Sequence, residues 1–195
     1  MKNVLVVDYC IGELGGYVKR ILDAFLSAVA KEHSVERVDL TKTPITPLDE
    51  HTLKRRDQLI AAGQFDDPMF VRAKQFAAAD VIVVAAPELA PNIPAKVATY
   101  FERVFCPGVT YAIERHKQWY EGIRRAGALL YITARELDTP DEYSAEWYYL
   151  KGVEALMGLK PYMISARGLK TAFSIEGIEY QVNGACEKAK RFADQ

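Results

Sequence analysis

The sequence has almost no excess charge, few cysteines and no long apolar run, and each absence excludes a class of protein. Its 25 Lys and Arg residues nearly balance its 26 Asp and Glu residues, giving a net charge of -1, so no overall field attracts nucleic acid or anionic lipid. The apolar run after Met1-Lys2-Asn3 stops at Asp8, which is too short for a signal peptide, and no segment is long enough to span a bilayer. We therefore expect a cytoplasmic protein that binds neither nucleic acid nor membranes.

Signals of thiol and metal chemistry are also missing. The three cysteines show neither CxxC nor zinc-ligand spacing, so we expect free thiols in a reducing compartment; they are Cys10, Cys106 and Cys186. Cys10 follows the first predicted strand, and the pattern favours a packed thiol there over a nucleophile. The three histidines, at positions 33, 51 and 116, lack the spacing of metal ligands. No metal site is predicted.

What the sequence contains is an alternation of short apolar runs with amphipathic segments. Continuous apolar runs such as residues 4–7 and 81–86 indicate strands buried on both faces of a parallel sheet. The predicted strands cover residues 4–7, 34–40, 81–86, 127–133 and 162–166. Helical spacing or helix-start signals follow each run. This order predicts one α/β domain over residues 1–195, doubly wound, with a five-stranded parallel sheet and helices on both faces.

Proline-containing helix starts give the boundaries of two helices. Thr46 is predicted to be an N-cap, with Pro47 at the first helical position and Asp49 completing a capping pattern. The segment Thr139-Pro140-Asp141-Glu142 predicts a second start of the same kind. Its helix is expected to run through residue 157 and to end at Gly158.

The functional site is expected at the carboxyl ends of the parallel strands, where ligands bind in open α/β sheets. Three segments meet this description: Asp8 to Tyr17, Pro87 to Pro94, and Ala134 to Tyr143. The first contains Gly12, Gly15 and Gly16 before a helix, which indicates either a phosphate-binding helix N-terminus or only a tight turn that requires positive φ. The prolines of the second segment predict a rigid loop that helps to shape the site.

Five stretches resemble one known family in order and spacing, namely residues 79–87, 92–96, 100–111, 149–153 and 156–159. They are similar to the flavodoxin-like NAD(P)H quinone reductases and FMN-dependent NADH-azoreductases, and the resemblance covers essentially the whole chain. It implies a flavodoxin-like fold and an FMN-dependent NAD(P)H oxidoreductase. The implied substrates are quinone-like, azo or nitro aromatic acceptors, with NAD(P)H as hydride donor.

The resemblance also implies which residues form the site. Gly15, Gly16 and Tyr17 would meet the FMN phosphate; Pro87, Glu88, Leu89, Ala90 and Pro91 the flavin ring; and Thr133, Ala134, Arg135 and Glu136 its pyrimidine end. Tyr143 is the implied proton donor. Because family members build the site between subunits, a homodimer is expected, and the aromatic clusters 119–120 and 147–149 either form its interface or lie in the monomer's own core.

Each of the three loops carries a glutamate, which favours a second interpretation. If Glu13, Glu88 and Glu136 share one cleft, repulsion and burial should raise at least one pKa and weaken the binding of an anionic ligand. Arg135 could offset this by pairing with Glu88 or Glu136, or by meeting the phosphate itself. The alternative is a flavodoxin-like domain that has lost FMN and serves as a small-ligand or partner-binding module.

Overall fold

The strands form one parallel sheet and one small hairpin. The computed structural model describes residues 1–113, 120–122, 124–172 and 174–193. The strands are β1 Asn3–Asp8, β2 Ser34–Asp39, β3 Val81–Ala85, β4 Tyr111–Ile113, β5 Tyr120–Gly122, β6 Ala128–Ala134 and β7 Lys160–Ala166. The main sheet has the order β2-β1-β3-β6-β7 with every pair parallel, while β4 and β5 pair antiparallel. This confirms the predicted doubly wound α/β fold with five parallel strands.

Six α-helices lie within the described residues, and all but the second pack on the two faces of the sheet, since the second has no buried residue. They are α1 Gly12–Val29, α2 Glu50–Ala61, α3 Val71–Ala78, α4 Ala95–Val104, α5 Ala145–Met157 and α6 Ile175–Ala193. Alternate residues of β1 point to opposite faces, so Val4 and Val6 pack with α1 and α6 whereas Leu5 and Val7 pack with α3, α4 and α5. Two apolar layers explain why the central strands read as continuous apolar runs. Across the residues that the structure describes, no helix is long and apolar enough to cross a membrane.

The start of α2 differs from the prediction. Asp49, not Thr46, is the N-cap: its carboxylate accepts from the Thr52 backbone N–H at 2.7 Å, and the Thr52 hydroxyl accepts from the Asp49 N–H. Thr46 instead accepts hydrogen bonds from Arg103 of α4, through its carbonyl at 2.7 Å and its hydroxyl at 3.0 Å. This tertiary contact keeps the loop before α2 extended, so the helix begins later in the sequence than predicted.

The start of α5 is also later than predicted. Ser144 is its N-cap, accepting from the Trp147 N–H at 3.2 Å, and residues 141–143 form a single 3-10 turn. The prediction of Thr139 as the cap is wrong, because Arg135 after β6 and Ser165 of β7 hold the Asp141 carboxylate and fix the turn before the helix. Gly158 ends α5 with φ +67°, as predicted. His116 and Trp119 lie outside the described residues.

Candidate functional site

A cleft at the carboxyl edge of the sheet joins all three predicted segments. It encloses about 430 Å³ and is lined by Ile11, Gly12, Glu13, Leu14, Tyr17, Leu89, Glu136, Leu169, Lys170 and Ile178. Three of the predicted site residues, Tyr17, Leu89 and Glu136, are therefore brought together here. The last three lining residues were missed by the sequence analysis. Leu169, Lys170 and Ile178 could have been predicted from the sequence, because they follow β7, whose carboxyl end lies at the same edge.

The amino terminus of α1 forms one end of the cleft. Its N-cap is Ile11, whose apolar side chain cannot accept a hydrogen bond, so the first-turn N–H groups have no side-chain cap within the described part of the chain. Gly12 and Leu14 of this turn line the cleft. Free N–H groups together with the positive end of the helix dipole favour an anion at this point.

The glycines of this turn have different roles. Gly12 adopts φ +66°, which requires glycine for the turn, while a Cβ on Gly15 would lie 2.6 Å from the Cys10 carbonyl carbon. Among the described atoms, none lies within 4 Å of a Cβ built on Gly16. The tight turn and the phosphate site are thus compatible, because Gly12 and Gly15 shape the turn and the helix start remains open.

The charges in the cleft are partly compensated. Glu136 is paired with Lys170 at 2.9 Å, and the Tyr17 hydroxyl donates to the exposed Glu13 at 3.5 Å. Among the described residues, Arg135 forms no ion pair with Glu88 or Glu136, the two carboxylates considered as its partners. Its side chain is 1% exposed and binds Asp141 and Ser165. The cation of the cleft is Lys170, from a loop that the sequence analysis did not consider.

Arg135 connects three elements at the carboxyl edge. Its Nη2 donates to the Asp141 carboxylate before α5 and to the Ser165 hydroxyl of β7 at 3.3 Å, and that hydroxyl donates to Asp141 at 2.6 Å. The backbone adds two further links between the loops after β6 and β7, where the Leu169 and Lys170 N–H groups donate to residues 135 and 136. The floor of the cleft is therefore fixed by interactions far apart in sequence.

The loop after β3 extends from the sheet into the wall of the cleft. The Glu88 N–H donates to the Ala134 carbonyl at 3.1 Å, which continues the parallel pairing past the last residue of β3. Pro87 is buried, Glu88 half-buried and Leu89 39% exposed. Ala90 has φ +47°, a left-handed conformation that costs an alanine about 1 kcal/mol. Backbone strain of this kind accumulates at functional sites.

Beneath this loop lies a group of buried polar side chains, here called the inner polar cluster: Tyr131, Thr133, Arg135 and Glu146. Tyr131 and Thr133 alternate along β6 and Arg135 directly follows its last residue, so all three face α5, whose first turn contributes Glu146. Glu146 is 0% exposed. Six buried polar atoms of the cluster have no hydrogen-bond partner among the described residues, including both carboxylate oxygens of Glu146. Sequence reasoning missed Glu146, because a glutamate in a first helical turn usually faces solvent.

Burial and the cluster together shift two titratable groups. Burial raises the pKa of the Glu88 carboxyl, the Glu146 carboxylate raises it further and Glu136 adds to this, while Arg135 opposes them. Burial raises the pKa of the Tyr131 hydroxyl well above its ordinary value, again reinforced by Glu146 and Glu88. The predicted condition, that all three loop glutamates share one cleft, is not met, because Glu13 and Glu136 line the cleft and Glu88 does not. The raised pKa of Glu88 comes first from burial and then from an unforeseen carboxylate, Glu146.

The remaining predicted side chains lie outside the cleft lining. Tyr143 is 67% exposed in the 3-10 turn before α5, and the side chains of Thr133 and Ala134 are buried on opposite faces of β6. Of the aromatic cluster 147–149, Trp147 and Tyr149 pack against the core and Tyr148 is 65% exposed.

Cys10 is a free, half-buried thiol beside the first loop. Burial raises its pKa to about 12, and the nearby Asp8 carboxylate contributes. A thiol in this state stays protonated and agrees with the expected packed role. Within the described ranges, His, Cys, Asp and Glu side chains form no group of three that could hold a metal ion.

Comparison with known sequences gives one family and two curated relatives. The profile of a family described as having a flavodoxin-like fold matches residues 2–190. An FMN-dependent NADH:quinone oxidoreductase of Cronobacter sakazakii is 29% identical over 73% of this chain and 75% of its own. An enzyme of the same name from Gluconobacter oxydans is 24% identical over 84% of this chain and 81% of its own.

Solved structures share the fold over the whole chain. An azoreductase from Bacillus anthracis superposes with a TM-score of 0.83 at 17% identity, covering 99% of both chains. An FMN-dependent NADH-azoreductase of the same species, in complex with FMN, has a TM-score of 0.76 at 18% identity and covers 98% of this chain and 99% of its own. At these identities the likeness establishes the flavodoxin-like architecture.

Proposed function

This chain belongs to the family with the flavodoxin-like fold, and from that premise we propose that it is an FMN-dependent oxidoreductase that transfers hydride from NADH or NADPH to quinone-like, azo or nitro aromatic acceptors. The observation that carries the proposal is the cleft at the carboxyl edge, with an uncapped helix N-terminus at one end and apolar side chains along its walls. The names of the curated and structural relatives support FMN as cofactor, NADH as donor, and quinone and azo compounds as acceptors.

The residues of the cleft fit FMN. The free N–H groups at the start of α1 suit the phosphate, and Lys170 neutralises the Glu136 carboxylate that would otherwise repel it. Leu89 offers an apolar surface to the ring from the strained loop after β3. When bound, FMN supplies the hydride chemistry, and the protein supplies binding, orientation and charge.

The first experiment is an absorbance spectrum of the purified protein before and after addition of FMN. We expect bound flavin, saturable quenching of FMN fluorescence, and oxidation of NADH or NADPH that depends on an added quinone. Absence of flavin binding over the range of about pH 5 to 8, where a raised carboxyl titrates, would refute the proposal.

The second candidate is a domain without FMN that binds another small ligand or a partner. It is favoured by one observation, that Glu13 and Glu136 both line the cleft. Under this hypothesis the double variant Glu13→Ser, Glu136→Gly binds FMN much more tightly than the parent, and parent binding improves on acidification. Tight, pH-independent binding by the parent excludes it.

The proposed assembly is a homodimer. Six large apolar side chains are exposed around the carboxyl edge, and they are Leu89, Leu137, Tyr143, Tyr148, Ile175 and Tyr180. Contiguous patches of exposed apolar and aromatic side chains mark protein interfaces or ligand sites. A second copy seated here would close the cleft over a small aromatic substrate.

A further inference from the structure

Lys170 is the only cationic side chain among the described residues that line the cleft. Two carboxylates, those of Glu13 and Glu136, line it as well. The guanidinium of Arg135, which directly follows β6, is buried and bonded to Asp141. An anion that enters the cleft therefore meets one positively charged side chain in its described walls, that of Lys170.

The loop that carries Lys170 is fixed to the loop after β6 by backbone hydrogen bonds. The N–H groups of residues 168, 169 and 170 donate to the carbonyls of residues 137, 135 and 136, at 3.0, 3.2 and 3.0 Å. The turn requires glycine at position 168, because its φ is +72°. The backbone of Lys170 is therefore held beside the cleft by contacts with a second loop.

Helix α6, which follows this loop, is fixed to α1. Arg20 of α1 donates from both terminal nitrogens to the Glu179 carboxylate of α6, at 2.8 and 2.7 Å. A bidentate pair of this kind has a defined geometry, and buried apolar residues of the two helices pack in one cluster. The start of α1 and the loop that carries Lys170 are therefore held in place relative to each other, and both line the same cleft.

The side chain of Lys170, in contrast to its backbone, can change its partner. Its ammonium group lies 2.9 Å from the Glu136 carboxylate, and the two side chains are 69% and 49% exposed. Exposed ion pairs of this kind add little to stability, because water solvates both charges. The ammonium group has three N–H donors, and a phosphate with two negative charges attracts it more strongly than a single carboxylate does at the same distance.

We propose that Lys170 binds the phosphate of FMN, and that Glu136 competes with this phosphate for the Lys170 ammonium group. This inference rests on the proposed function and names the charged side chain of its cofactor site. Residues 8–17, which form the first loop and the start of α1, contain no Ser or Thr hydroxyl that could donate to a phosphate. The cation from the loop after β7 therefore adds a side-chain donor to the backbone N–H groups at the start of α1.

Binding of FMN and of riboflavin, which lacks the phosphate, isolates the contribution of Lys170. In Lys170→Met we expect FMN to bind roughly fivefold to tenfold more weakly and riboflavin to bind as in the parent, as measured by quenching of flavin fluorescence. Lys170→Arg keeps the charge and should retain most of the affinity for FMN. Lys188→Met, at an exposed lysine of α6, is the control and should match the parent. Equal losses for FMN and riboflavin, or no loss for either, overturn the proposal.

A double-mutant cycle tests the competition between Glu136 and the phosphate. If Glu136 competes for Lys170, the substitution Glu136→Gln tightens FMN binding more in the parent than in Lys170→Met. If Glu136 only repels the phosphate, the order is reversed, because in Lys170→Met the Glu136 charge is no longer neutralised by Lys170. The reversed order, or equal gains in the two proteins, overturns the competition.

Inorganic phosphate tests the same site without flavin. Its binding is followed through the backbone amide NMR signals of Gly12 and Leu14, in the parent and in Lys170→Met. We expect saturable shifts in the parent and weaker binding in the variant, whereas absent shifts, or equal binding by both proteins, overturn the proposal. If phosphate binding depends on Lys170 but neither flavin binds, the proposed function has failed and the role of Lys170 has not.

Discussion

The three loop glutamates are one residue type in three environments. Glu13 is exposed, Glu136 forms an ion pair with Lys170, and Glu88 is half-buried beside the inner polar cluster. Their presence could be read from the sequence, but their partners could not. Lys170 lies 34 residues beyond Glu136, and the only cue to Glu146 is its place in a helical first turn.

The raised pKa of Glu88 makes stability depend on pH. The ordinary glutamate pKa is 4.5, and burial raises that of Glu88 above it. Its contribution to stability is therefore fully present below the ordinary value and is lost as the pH rises through the raised value. Glu88→Gln imitates the protonated form, so we expect it to exceed the parent in free energy of unfolding at about pH 8, by less than about 1 kcal/mol because solvent screens the half-exposed group.

Urea unfolding at several pH values measures this difference. It should shrink towards zero as the pH falls to the ordinary glutamate pKa. Glu142→Gln makes the same change at an exposed position and is the control. A difference between Glu88→Gln and the parent that is constant with pH would contradict the assignment.

At the scale of the element, the turn before α1 combines two requirements. The chain must pass from β1 into a helix within a few residues, and the helix start must stay open to the cleft. Gly15 packs against the backbone of Cys10, and Gly16 faces open space. Adjacent glycines that look equivalent in the sequence therefore differ in whether the structure has room for a side chain at their position.

Alanine substitution distinguishes the two glycines. In Gly15→Ala the new Cβ would lie 2.6 Å from the Cys10 carbonyl carbon, so we expect destabilisation of about 1–3 kcal/mol. In Gly16→Ala the new methyl group meets no described atom within 4 Å, and the higher helix propensity of alanine should stabilise α1 by up to about 1 kcal/mol. Effects of the same sign in urea unfolding would contradict the geometry.

The start of α5 gives a second matched pair. Ser144→Ala removes the cap of the Trp147 N–H and the hydrogen bond that the Ser144 hydroxyl donates to the Asp141 carbonyl at 2.8 Å. We expect a loss of about 1 kcal/mol in the free energy of unfolding. Thr139→Ala should change it by less than about 0.5 kcal/mol, because Thr139 does not cap the helix. If Thr139→Ala were the more harmful substitution in thermal or urea unfolding, the observed boundary would be wrong.

At the scale of the whole molecule, function-bearing features concentrate at one edge of the sheet. The cleft, the strained Ala90, the inner polar cluster and six exposed apolar side chains all lie there. The carboxyl ends of parallel strands converge at this edge, so four loops contribute although they are far apart in sequence.

We expect the exposed apolar surface to be covered by a second copy of the chain. Light scattering at micromolar concentration should give the mass of two chains. The variant Tyr148→Lys, Tyr180→Lys should give the mass of one chain, since it places two charges where apolar contact is expected. Where the parent is also monomeric, variant and parent should unfold at the same urea concentration. A parent with the mass of a single chain would refute the dimer.

The sequence by itself determined the fold class, because a strand buried on both faces must be apolar throughout and a covering helix must be apolar on one side. It also determined the edge at which the site lies and the loops that reach it, since both follow from parallel connectivity. Only the tertiary structure decided which charges meet: Arg135 turns inward to Asp141, Lys170 reaches Glu136, and Glu146 is buried behind Glu88. The physical reason is that hydrophobic periodicity is a local property of the chain, whereas the pairing of charges depends on distances between residues that only folding brings together.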